Sequence, residues 1–143
     1  MRRPGFLAAF ALAIGTGSAL AADMPGRVYV AGAIAADGAC ANEGVLGAIQ
    51  GRFAWAERNT WHRGFVMDTL ENARPSGHAY YEPGLIRHDY CMADSVMTNG
   101  SPHVVYFAIE YGVGFASIGN YVDFCVLGLD PWHIHDGACR TVR

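Results

Sequence analysis

Lysine does not occur anywhere in this chain. Its absence removes Schiff-base lysines and the phosphate-reaching lysine of P-loops from the available chemistry. Arginine alone supplies the fixed positive charge, and the formal net charge is -3. No basic cluster is present, so nucleic acid is excluded as a partner on electrostatic grounds. No two cysteines stand at the close spacing of structural zinc sites. There is no His-Glu-x-x-His, and Ser117 in Gly114-Phe115-Ala116-Ser117-Ile118-Gly119 is not the serine of a Gly-x-Ser-x-Gly elbow. No apolar run reaches the roughly 20 residues that a membrane-spanning helix needs.

What is present begins with an export signal. Arg2 and Arg3 precede the wholly apolar stretch Phe6 to Ile14, and Ala19-Leu20-Ala21 follows. This is the pattern of a secretory signal peptide over residues 1–21, cut after Ala21. Residues 22–41, rich in alanine and glycine, read as a poorly ordered lead-in, with a possible short strand at Arg27 to Val30. Residues 42–143 then form a single domain of ordinary size. The expected location is the periplasm or the outside of the cell, with no span in the mature chain.

The four cysteines fit that compartment. Cys40, Cys91, Cys125 and Cys139 are an even set in an exported chain and read as two disulfides. Three pairings are possible, and spacing does not select among them. Loop geometry favours Cys125–Cys139, closing over Asp130-Pro131, together with Cys40–Cys91.

Asn42 to about Asn59 is the one helix. Asn42 is its cap, and Val45, Ile49, Phe53 and Ala56 make one apolar stripe, widened by Leu46 and Trp55. Gly44, Gly47 and Gly51 lie on another face and lead to the expectation that a second backbone passes close over them. Four or five strands follow. They are placed at Gly64 to Asn72, Ile86 to Met97, His103 to Tyr111 and Tyr121 to Leu127, with a short last one at Trp132 to His135. Asn99-Gly100 is a hairpin signal, and Asn99-Gly100-Ser101 is also a formal glycosylation sequon. On Tyr121 to Leu127, alternation sets Val122, Phe124 and Val126 against Tyr121, Asp123 and Cys125. The fold class is therefore α+β: one N-terminal helix packed on a curled antiparallel sheet, stapled by disulfides.

Three constellations carry candidate chemistry. On an extended strand, His133 and His135 share a face, and with Asp136 they form a set for zinc or copper; otherwise no cofactor is implied. Glu110, Asp123 and Asp130 are candidate carboxylates for acid–base work, and nothing in their spacing selects two. Tyr80, Tyr81 and Trp132 lead a group of aromatics near loops and strand ends, residue types enriched at interface hot spots.

The C-terminal half carries a resemblance. Tyr90-Cys91, Val105-Tyr106-Phe107-Ala108-Ile109-Glu110, Gly114-Phe115-Ala116, Asp123-Phe124-Cys125-Val126, Gly128-Leu129-Asp130-Pro131-Trp132 and Cys139-Arg140 resemble small exported proteins of alphaproteobacteria whose function is unknown. The resemblance implies an envelope location and brings no catalytic residue, cofactor or substrate. The expected function is a small exported binding or envelope-associated module acting on an unidentified protein or small ligand, without evident catalysis. A metal-binding protein or metal-dependent hydrolase built on His133, His135 and Asp136 is the first alternative. An inhibitor of an envelope hydrolase, presenting Pro75 to Gly84 or Gly112 to Gly119, is the second.

Overall fold

The computed structural model describes residues 29–30, 38–77, 86–113, 116 and 118–143. The signal segment, Tyr80, Tyr81 and Ser117 lie outside the described residues. The elements run β1 (Tyr29–Val30), a short 3-10 turn (Ala39–Ala41), α1 (Glu43–Ala56), β2 (Met67–Pro75), β3 (His88–Met97), β4 (Pro102–Tyr111) and β5 (Asn120–Val126). The strands form one open antiparallel sheet in the order β1-β5-β4-β3-β2. Among the described residues the fold is thus α+β, with one α-helix laid on the sheet and two disulfides, as the sequence predicts. Two pieces of the stretch 22–41, β1 and the Ala39–Ala41 turn, belong to the fold.

Asn42 starts α1 as expected, its side chain accepting the Val45 amide at 3.2 Å. Val45, Ile49 and Phe53 are at most 1% exposed. They pack on Cys91, Ala93 and Met97 of β3, Val105, Phe107 and Ile109 of β4, and Val122 and Val126 of β5. Burying apolar area of this kind is the main favourable contribution to the fold. The helix ends in a π-helical turn, Glu57–Trp61, closed by His62 in the left-handed region at φ 52°. Glu57 is buried there because Arg63 satisfies it: the Arg63 backbone amide and guanidinium both donate to its carboxylate.

Two expectations about the helix are overturned. Gly44, Gly47 and Gly51 are exposed, and a Cβ at Gly47 or Gly51 meets nothing within 4 Å. Among the described residues no second backbone lies over Gly47 or Gly51; burial of the opposite stripe is what mainly holds a glycine-weakened helix. Trp55 is 40% exposed and does not widen the core stripe.

The β3–β4 hairpin turns at Asn99-Gly100, with Gly100 at φ 83°. β2 begins later and runs further than predicted because it is bulged. Its register shifts between Met67 and Thr69 and again between Glu71 and Arg74, and Asn72 adopts φ 54°. Each bulge resets the inward–outward alternation, so a two-residue period is illegible across it. Ser95, buried on the core face of β3, donates to the Thr69 carbonyl at 2.8 Å, beside the first bulge.

Cys40–Cys91 ties the turn before α1 to the middle of β3, and Cys125–Cys139 ties β5 to the C-terminal segment. That segment, residues 127–143, begins beside the α1 core, where Leu129 packs, and passes to the sheet face opposite α1, where Cys139 and Val142 pack. Ala108, Cys125, Cys139 and Val142 form a second small core there, packed by Tyr90, Tyr106 and Leu127.

Candidate functional site

The C-terminal segment is a run of turns, and the strand expected at Trp132 to His135 is absent. Asp130 is the cause. Its carboxylate accepts the Trp132 amide at 3.2 Å and the His135 amide at 3.1 Å, which curls the chain around one side chain. Asp136 repeats the device, accepting the amides of Ala138 at 2.6 Å and Arg140 at 3.3 Å. The Ala138 N–H first, and Arg140 after it, hold the Asp136 carboxyl below its usual range. His133, Asp136 and Cys139 sit at φ 50°, 60° and 58°, conformations incompatible with an extended strand.

Without the strand, His133 and His135 do not share a face. His133 is exposed, whereas His135 is buried against the sheet. Its Nδ1 lies 2.7 Å from Thr141 Oγ1, and its Nε2 lies 3.5 Å from Asp123 Oδ1. Asp123 raises the His135 pKa through that contact, against the opposing effect of burial. Asp130 adds to the rise and Arg52 of α1 opposes it. Asp136 turns instead to Arg140 at 2.7 Å. Among the described residues no group of three His, Cys, Asp or Glu side chains is able to hold a metal ion. The zinc or copper set built on His133, His135 and Asp136 is therefore not assembled; His135 works as a bridge between β5 and the C-terminal turn.

Trp132 is 64% exposed and Ile134 62% exposed, on the outside of the same run of turns. Beneath Trp132 an edge-to-face series of rings runs inward. Trp132 meets Trp61 at 6.2 Å, and Trp61 meets the buried Phe53 at 6.3 Å. Arg63 lies over the Trp61 ring at 4.6 Å and donates to the Leu129 carbonyl at 3.0 Å. At the far end, Arg143 lies over Tyr106 at 5.5 Å. The turn is thus fixed by two carboxylates, one histidine, one disulfide and two stacked arginines, and it holds two large apolar side chains out in water. Two other aromatics near strand ends, Tyr111 and Tyr121, are engaged internally. The Tyr111 hydroxyl donates to Asp89 at 2.6 Å and its pKa is pushed up by burial, while Tyr121 Oη accepts from Arg52 at 3.3 Å.

The register puts two of the three candidate carboxylates on one face of the sheet. Glu110 stands opposite Tyr121, and Asp123 opposite Ala108, so both lie on the sheet face away from α1. Each is paired with a histidine: Glu110 with His88 at 3.3 Å and Asp123 with His135. The pairing of Asp123 with His135 and Thr141 is not apparent from the sequence, although alternation on β5 places Asp123 beside Cys125. A pocket of about 320 Å³ has Cys40, Pro75, His88 and Tyr90 on its walls, so the His88–Glu110 pair borders it while Asp123 and His135 do not line it. No protein-family model, no curated protein and no solved structure matches this chain.

Proposed function

We propose that the protein is a small exported binding module that presents Trp132 and Ile134 to a protein partner. The observation that carries this reading is a tryptophan 64% exposed on a turn tied down by Asp130, His135 and Cys139. An apolar ring held rigidly in water costs little conformational entropy to bury. Covering its exposed part is worth about 3 kcal/mol at ordinary transfer values. Two disulfides and the absence, among the described residues, of a helix able to span a membrane suit an exported chain. The signal-like residues 1–21 and the resemblance to exported alphaproteobacterial proteins support an envelope location.

The test is capture from an envelope extract with the native disulfides kept. A defined protein is expected on the wild type and on Ile118→Ala, whose side chain is also exposed, and is lost on Trp132→Ala with the far-UV signature of the fold kept. Equal capture by Trp132→Ala sinks the reading. If the captured protein is a hydrolase, assay of the complex shows directly whether it is inhibited.

A further inference from the structure

At the tip of the β3–β4 hairpin, a serine hydroxyl and a histidine ring are in hydrogen-bond contact. Ser101 Oγ lies 3.1 Å from His103 Nε2. His103 Nδ1 lies 3.0 Å from the main-chain carbonyl of Leu127. A carbonyl oxygen accepts and cannot donate, so the hydrogen of the neutral ring is on Nδ1. Nε2 then carries the lone pair, and it faces the serine. This is the arrangement of an activated nucleophile: a hydroxyl, a base within hydrogen-bond reach, and a third group that fixes the base's tautomer. Here the third group is a backbone carbonyl. The two residues are brought together because they are two apart across the start of β4, while Leu127 follows β5.

We infer that Ser101 is an acylable nucleophile with His103 as its general base. The substrate class is an activated acyl donor, an ester or thioester, reaching the tip from solvent past the exposed Asn99, Gly100 and Pro102. In the step, Ser101 Oγ forms a bond to the acyl carbon and its proton passes to His103 Nε2. The leaving alcohol or thiol departs with its electron pair and takes the proton from His103. At rest the Ser101 hydroxyl donates to Asn99 Oδ1 at 2.7 Å, an oxygen that also accepts the Ser101 amide at 3.0 Å, and the hydroxyl must turn from it to His103 for the reaction. The same contacts also tether the hairpin tip to the end of β5. A tether alone leaves Ser101 with the reactivity of any surface serine.

The probe is a fluorophosphonate, whose phosphorus bonds to the serine oxygen as fluoride leaves. Adducts are mapped by peptide mass on the intact, disulfide-bonded protein. An adduct on Ser101 is expected. It disappears in Ser101→Ala and forms about 100-fold more slowly in His103→Gln, which keeps a donor for Leu127 but lacks the base. No adduct on Ser101, or an equal rate in a folded His103→Gln, overturns the inference. Should His103→Gln lose its near-UV signature, Asn99→Ala decides: removal of the competing acceptor speeds labelling, and an unchanged or slower rate contradicts the proposal.

Discussion

On one face of the sheet, α1 buries Val45, Ile49 and Phe53 against side chains from four strands. On the other, Cys139 and Val142 of residues 127–143 pack against Ala108 and Cys125 in a much smaller cluster. The first face is held mainly by apolar area, with Cys40–Cys91 fastening the turn before α1. The second is held by directed contacts: Cys125–Cys139, His135 with Asp123 and Thr141, and Arg143 over Tyr106. The difference explains where each face tolerates exposure. A helix fastened by its buried stripe carries three exposed glycines on its outer side. A turn fastened by disulfide, carboxylates and histidine carries an exposed tryptophan without having to fold around it.

The largest effect separating the faces is expected from Phe53→Ala. A ring 1% exposed at the centre of the apolar face costs about 3–5 kcal/mol on truncation, read by denaturant unfolding. The whole fold weakens with it, and loss confined to one segment breaks the comparison.

Next come the disulfides. Chain-entropy arguments give about 4 kcal/mol for Cys40–Cys91 and about 3 kcal/mol for Cys125–Cys139, from sequence separations of 51 and 14. The two losses differ in kind. Replacing Cys125 and Cys139 by alanine is expected to expose residues 127–143 to protease while the α1 face keeps its far-UV signal. Replacing Cys40 and Cys91 is expected to lower the global transition.

His135 gives a smaller, pH-dependent effect. Its folded pKa is raised above the ordinary 6.5, mainly by Asp123. The stability it contributes is therefore fully present below that ordinary value and is lost as pH rises through the folded pKa. His135→Gln is expected to cost about 1 kcal/mol at mildly acid pH and less at alkaline pH. A melting-temperature profile in which wild type and variant stay parallel across that range contradicts the bridge.

The smallest effect has the opposite sign. Gly47→Ala and Gly51→Ala place a methyl group where nothing lies within 4 Å. Each is expected to stabilise by up to about 1 kcal/mol in thermal unfolding. Destabilisation would show that the outer face of α1 is covered.

The apolar face was legible in the sequence because its signals are periodic. The Val45–Ile49–Phe53 stripe, the Asn99-Gly100 turn and the alternation along β5 each report on burial, and burial follows the backbone period. β2 was legible only in part, since its bulges break that period at Thr69 and Asn72. The C-terminal segment was misread as a strand for a different reason. Trp132 to His135 has strand-like composition, but Asp130 takes two of its amides and the chain turns instead. A side chain capping nearby amides has no period. The pairing of His135 with Asp123 spans different elements and is visible only once both are placed. Ser101 and His103 are two apart in the sequence, yet the Leu127 carbonyl that fixes the imidazole is supplied by the end of another strand.

The most direct test of the two-sided construction is native-state hydrogen exchange on the protein lacking Cys125 and Cys139, compared with wild type. Protection is expected to fall at the amides of Trp132, His135 and Ala138 and to persist in α1, β3 and β4. A uniform loss of protection across both faces would contradict the account, since it would make the C-terminal segment part of the same cooperative core as the helix.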